Sequence, residues 1–177
     1  MAWIRGALSA ALLAVVASGA NTAWAQKKEE KKASKPMSQE ASRGKYLAQI
    51  GGCNDCHTPG YAFSGGKVDE RNWLIGDALG WRGPWGTTYP ANLRLVARNM
   101  TVAQWMTRAR SELRPPMPWF NLRDMADSDL KAIYAYLRHQ GPAGASAPAY
   151  VPPDKTPTLP FVQFPAPPPA APKPKSK

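Results

Sequence analysis

"GGCNDCHTPG", residues 51–60, carries the only two cysteines of this 177-residue chain and one of its two histidines. Cys53 and Cys56 are spaced to lie one turn apart on a helix, and His57 follows the second thiol directly. Four readings compete for such a group. A redox dithiol needs flanking strands and a βαβ unit, and neither is visible around it. A structural zinc site needs four ligands, and beyond these three residues the chain offers only His139 and carboxylates. A disulfide across a two-residue gap closes a loop too short to staple a fold. The fourth reading is covalent haem attachment, C-x-x-C-H, in which the two thiols reach the two vinyl groups of one haem and the histidine turns its imidazole toward the iron. Cys53 and Cys56 would then form thioethers, and His57 would be the proximal ligand of a single haem c.

The flanks fit an exported chain. Residues 1–25 combine Arg5, the apolar stretch "GALSAALLAVVASGA" and the small residues of "AWA", the signature of a signal peptide cleaved after Ala25. That stretch is shorter than the roughly 20 residues a membrane-crossing helix needs, and no later segment is apolar enough, so no stable span is expected after cleavage. Export by this route places the chain in a bacterial periplasm. Residues 26–37 form a charged leader, 38–140 one small domain, and 141–177 a tail in which 12 of 37 residues are proline, a composition that favours extended or disordered chain.

The whole sequence has 23 basic and 12 acidic side chains, and arginine dominates the middle. Such a basic body suits an acidic protein partner, an anionic surface, or two buried carboxylates that need neutralising. It carries no recognisable nucleic-acid-binding motif.

Three helices are expected. "EASRGKYLAQIGG" groups Tyr46, Leu47 and Ile50. "TVAQWMTRARSEL" groups Val102, Trp105, Met106, Ala109 and Leu113, with Asn99 or Thr101 as cap. "DSDLKAIYAYLRHQG" groups Leu130, Ile133, Tyr134 and Leu137 and stops at Gly141. Some 40 residues rich in Gly, Pro and Trp separate the first two. So long an irregular stretch needs something large to order it, which a buried prosthetic group supplies.

The ligand on the far side of the iron decides between an electron carrier and an open, ligand-binding haem. Met117 is the foremost choice, because Pro115, Pro116 and Pro118 in "RPPMPWF" fix the backbone around its sulfur. Met106 reads as core, Met100 and Met125 flank helices, Met37 lies in the leader, and His139 reads as a helix-end surface residue.

Here a family resemblance becomes specific. "RGKYLAQIGGCNDCHTPG" resembles the start, and "RPPMPWFNLRDMADSDLKAIYAYLR" the end, of a class I c-type cytochrome with one haem. The middle, "WGTTYPANL…VAQWMTRAR", is similar to the cytochrome c domains of periplasmic alcohol and aldehyde dehydrogenases. The resemblance covers about residues 38–140. It implies an all-α fold in which the first and last helices cross, with His57 and Met117 as axial ligands and the Pro59 carbonyl holding the second imidazole N–H. Two departures stand out: the single haem motif, where such subunits commonly have several, and "ANLRLVARN", which lacks their Thr-Pro-Asp.

The haem propionates call for donors. Arg82, Arg94, Arg98, Trp85, Trp105, Tyr89 and Asn92 are available in the middle segment, with Trp105 and Arg82 foremost. The expectation is an electron carrier with no catalytic residues of its own, relaying electrons from a dehydrogenase to an oxidase or another cytochrome. The competing expectation is a five-coordinate haem sensor, gas-binding or peroxidase-like protein. A third makes the proline-rich tail a scaffold to which the haem domain is incidental.

Overall fold

The crossing of the first and last helices organises the chain, and one glycine permits its closest approach. A computed structural model describes residues 36–165, of which those from Met37 onward belong to one compact unit. Helices α1 (Gln39–Ile50) and α6 (Asp127–Gln140) make the most extensive contact between elements. At their crossing Gly44 lies against the backbone of Ala132 and Ile133, and a Cβ there would sit 2.9 Å from Ile133 N and closer still to the Ala132 carbonyl.

Between them run α2 (Cys53–His57), a 3-10 turn (Glu70–Asn72), β1 (Gly80–Gly83), β2 (Gly86–Thr88), α3 (Leu93–Arg98), α4 (Val102–Ala109) and α5 (Trp119–Asp124), and β3 (Phe161–Gln163) follows α6. No described helix is long and apolar enough to cross a membrane. The expected signal segment lies outside the described residues.

Helix ends follow local chemistry. Ser38 caps α1 through Ala41 N. Thr101 and Gln104 form a reciprocal capping box on α4. Gly141 closes α6. The buried face of α1 differs from expectation: it is Ala41, Gly44, Leu47 and Ala48, while Tyr46 and Ile50 are 56% and 63% exposed. Close approach at Gly44 selects small residues there. The core joins Leu47 and Ala48 to Trp73, Leu74, Trp105, Ile133, Tyr136 and Leu137.

The expectation of an all-α fold is corrected. The described residues are mostly helical but include a sheet of order β2-β1-β3, with β1 and β2 an antiparallel hairpin and β3 parallel to β1. Strands of three or four residues carry too little alternation to be read from sequence, and β3 lies in the proline-rich segment.

The sequence places the end of the domain at 140, yet packing continues to Phe164. Asn92 Nδ2 donates to the carbonyls of Ala143 and Ala145. Val151 pairs with Thr87, and Phe164 N donates to Arg82 O. Phe164 also packs its ring against Trp81 and Trp85.

Candidate haem-attachment site

Gly51 caps the end of α1, and Gly52 turns the chain into α2 with a φ of +69°, a left-handed conformation that glycine adopts at no steric cost. Cys53 and Cys56 follow one turn apart, both free thiols and both half-buried. Burial pushes the Cys53 thiol up to about 11 and raises Cys56 as well, so neither is held as an activated thiolate.

His57 ends α2, with 8% of its surface exposed. Its Nδ1 lies 2.7 Å from the carbonyl oxygen of Ala91. A carbonyl can only accept, so Nδ1 carries the proton and Nε2 keeps its lone pair. Burial, and secondarily the charge of Arg108, lower the pKa of His57 and keep the ring neutral. A neutral imidazole held through one nitrogen is the form that binds a metal through the other. The partner expected for this N–H was Pro59; in the structure it is Ala91, 34 residues downstream.

The turn is locked from behind. Thr58 Oγ1 donates to Asn54 Oδ1 at 2.7 Å and accepts from Leu74 N at 2.8 Å. Gly76 N donates to the His57 carbonyl. Leu74, fully buried, takes a φ of +60°, a strained value for leucine, while its N–H and carbonyl are held by Thr58 on one side and Leu93 N on the other. The motif helix, the 58–76 loop and the start of α3 are thereby pinned together.

Met117 stands in the loop between α4 and α5, half-buried, after a cis Pro115–Pro116 peptide. The turn closes with Met117 N donating to Arg114 O at 3.3 Å, and Trp119 N donates to Met117 O at 2.8 Å. His139 sits half-buried at the end of α6. Among the described residues no three His, Cys, Asp or Glu side chains gather to hold a metal ion, so the four-ligand set of a structural zinc site is not assembled.

Most of the donors expected for the propionates are engaged elsewhere. Trp105 Nε1 donates to Leu130 O at 2.9 Å and pins α4 to α6. Arg82 places both terminal nitrogens on Thr87 Oγ1 and on the carbonyls of Pro153 and Lys155. Buried Arg94 serves the carbonyls of Arg71, Gln140 and Gly141, where its charge also meets the C-terminal end of α6. Trp85 Nε1 bonds Trp81 O, and Asn92 holds the chain beyond α6.

Two polar atoms on the hairpin are buried without a partner, Trp81 Nε1 and Thr88 Oγ1. They belong to residues directly opposite each other across β1 and β2.

No family model matches the chain, and no solved structure does. The chain is 30% identical over 118 residues to one of the subunits of the nicotinate dehydrogenase of Pseudomonas putida, covering 60% of this chain and 9% of that protein. It is 27% identical over 110 residues to the cytochrome c subunit of the quinone alcohol dehydrogenase of Gluconacetobacter polyoxogenes, and equally to that of Komagataeibacter europaeus, covering 55% of this chain and 21% of each. It thus spans a small part of the length of these curated relatives. Over somewhat more than half its own length the chain is similar to subunits of dehydrogenases, two of them cytochrome c subunits.

Proposed function

We propose that this chain is an exported class I c-type cytochrome with one haem, an electron carrier or electron-transfer subunit and not itself a catalyst. The observation that carries the reading is the state of His57: buried, neutral, its Nδ1–H given to Ala91 and its Nε2 lone pair kept, on the same helical turn as two reduced thiols. That donor set fits a covalently held haem.

In this reading Cys53 and Cys56 would hold the haem through thioethers, and His57 Nε2 and the Met117 sulfur would ligate its iron. Haem c so bound supplies reversible one-electron exchange, and thioether ligation favours the ferrous form. The chain's own residues do the rest. Ala91 fixes the ring plane and the basicity of His57, while Thr58 and Asn54 hold the turn that presents it. Prolines 115, 116 and 118 limit the excursions of Met117. Arg82 and Trp105 place their side-chain donors on the carbonyls of Pro153, Lys155 and Leu130.

The dehydrogenase relatives support a dehydrogenase as electron donor; an oxidase or another cytochrome would be the acceptor, and the export signal expected in residues 1–25 would put the exchange in the periplasm. The basic body favours acidic partners.

The test is covalent attachment. Exported in a bacterium that attaches haem c, the chain keeps its haem through denaturing electrophoresis, and Cys53→Ser with Cys56→Ser abolishes the haem stain. A wild-type chain that carries no stain sinks the reading.

A further inference from the structure

The proline-rich segment after α6 has no part in the function proposed so far, yet it is bound to the domain at four places. Asn92, 3% exposed, holds the carbonyls of Ala143 and Ala145 at 2.8 and 3.0 Å. Val151 exchanges two backbone hydrogen bonds with Thr87, of 2.7 and 3.0 Å. Arg82 grips the carbonyls of Pro153 and Lys155, and β3 pairs with β1.

Tyr150, between the first two anchors, faces two ways. Its hydroxyl donates to Trp85 O at 2.7 Å, fixing the ring on the hairpin. The guanidinium of Arg114 lies 4.4 Å from the centre of the same ring, a close cation–π contact. Arg114 in turn accepts the N–H of Met117 through its own carbonyl, so the contact reaches the methionine through one closed turn. The seat for Tyr150 is shaped by Gly86: a Cβ at that position, where φ is +96°, would stand 2.7 Å from the Tyr150 hydroxyl and collide with Val151 O. The Met117 loop's own backbone hydrogen bonds are local ones.

We propose that residues 143–164 are a positioning strap for the Met117 turn, acting through the ring of Tyr150 on Arg114. The proposal rests on the reading of Met117 as an axial ligand. The strap ties the loop that bears the methionine to the hairpin, whose next segment supplies Ala91 to His57, so one stretch of chain braces both sides of the haem site. Tyr150 and Arg114 are positioning residues. Neither touches the haem.

The test uses the full-length exported, haem-loaded chain and two spectroscopic readouts that general loosening of the fold would not move selectively. These are the weak red absorption of ferric haem with thioether ligation, and the rate at which the ferrous protein takes up carbon monoxide, which is limited by release of the methionine. In Tyr150→Leu, and equally in Arg114→Ala at an exposed position that does not endanger folding, the rate rises roughly fivefold, the factor that one partly exposed cation–π contact represents. Tyr150→Phe keeps the ring beneath Arg114 but loses the hydroxyl's bond to Trp85 O, and its rate falls between those of wild type and Tyr150→Leu. A wild type with the red band, and variants that bind the gas no faster, overturn the strap alone. A wild type without the band that binds the gas at once overturns the Met117 reading and the strap with it.

Discussion

Gly44→Ala tests the helix crossing on which the fold depends. In an isolated helix the change would help, by about 1 kcal/mol, because alanine has the higher helix propensity. At this position the new methyl meets backbone, the carbonyl of Ala132 and the nitrogen of Ile133 at 2.9 Å, and backbone inside a helix cannot rotate aside as a side-chain tip can. Relief requires α1 and α6 to separate, which opens the contacts among Leu47, Ala48, Ile133, Tyr136 and Leu137. Overpacking costs about 1–3 kcal/mol where side chains can adjust, and a rigid obstacle belongs at or beyond the top of that range. The expected net loss is about 3 kcal/mol, a large share of the roughly 5–15 kcal/mol that holds such a domain together. Equilibrium urea unfolding of the haem-loaded chain, followed by circular dichroism, shows this as a lower midpoint at unchanged slope. Adding Ala132→Gly does not restore it, because the obstructing atoms are main chain. A midpoint that stays in place or rises would mean that the helices do not meet at Gly44.

Two further outcomes follow from single contacts. Trp105→Phe leaves the Leu130 carbonyl without its indole partner and a small void in the core, lowering stability by about 1–3 kcal/mol while the reduction potential stays where it was; a shifted potential at full stability would place the indole on the haem instead. Thr101→Ala removes the capping box of α4 and costs about 1 kcal/mol in the same unfolding experiment, with Thr101→Ser recovering most of it, and no loss at all would refute the box.

The features written in adjacent residues were legible in the sequence. The cysteine pair and histidine sit on one helical turn after a left-handed Gly52, Thr101 caps α4, and α6 stops at Gly141, because each depends on side chains a few positions apart. What stayed hidden depends on backbone groups that every sequence offers alike. The carbonyl that orients His57 belongs to Ala91 rather than to nearby Pro59, and an alanine carbonyl has no sequence signature. Trp105 and Arg82 stand out by residue type as candidate cofactor donors, and the carbonyls they bond in the fold carry no sequence signature either. The docking of residues 143–164 was hidden in the same way: prolines suggest an unpacked tail, while Asn92 and Arg82 bind its main chain regardless of side chain. The face of α1 misled for a different reason, since large apolar residues normally mark the buried side and here Gly44 brings a neighbouring helix too close for them.

The central claim, a haem held by His57 and Met117 in an electron carrier, is tested most directly by the optical spectrum of the exported protein. It is recorded oxidised, reduced, and reduced under carbon monoxide, for wild type and for Met117→Ala. Low-spin wild-type spectra that the gas barely changes, and a variant that binds it promptly, are the expected result. A wild-type ferrous form that is high-spin and takes up carbon monoxide at once would contradict the account and make this an open haem, built for ligand binding or catalysis.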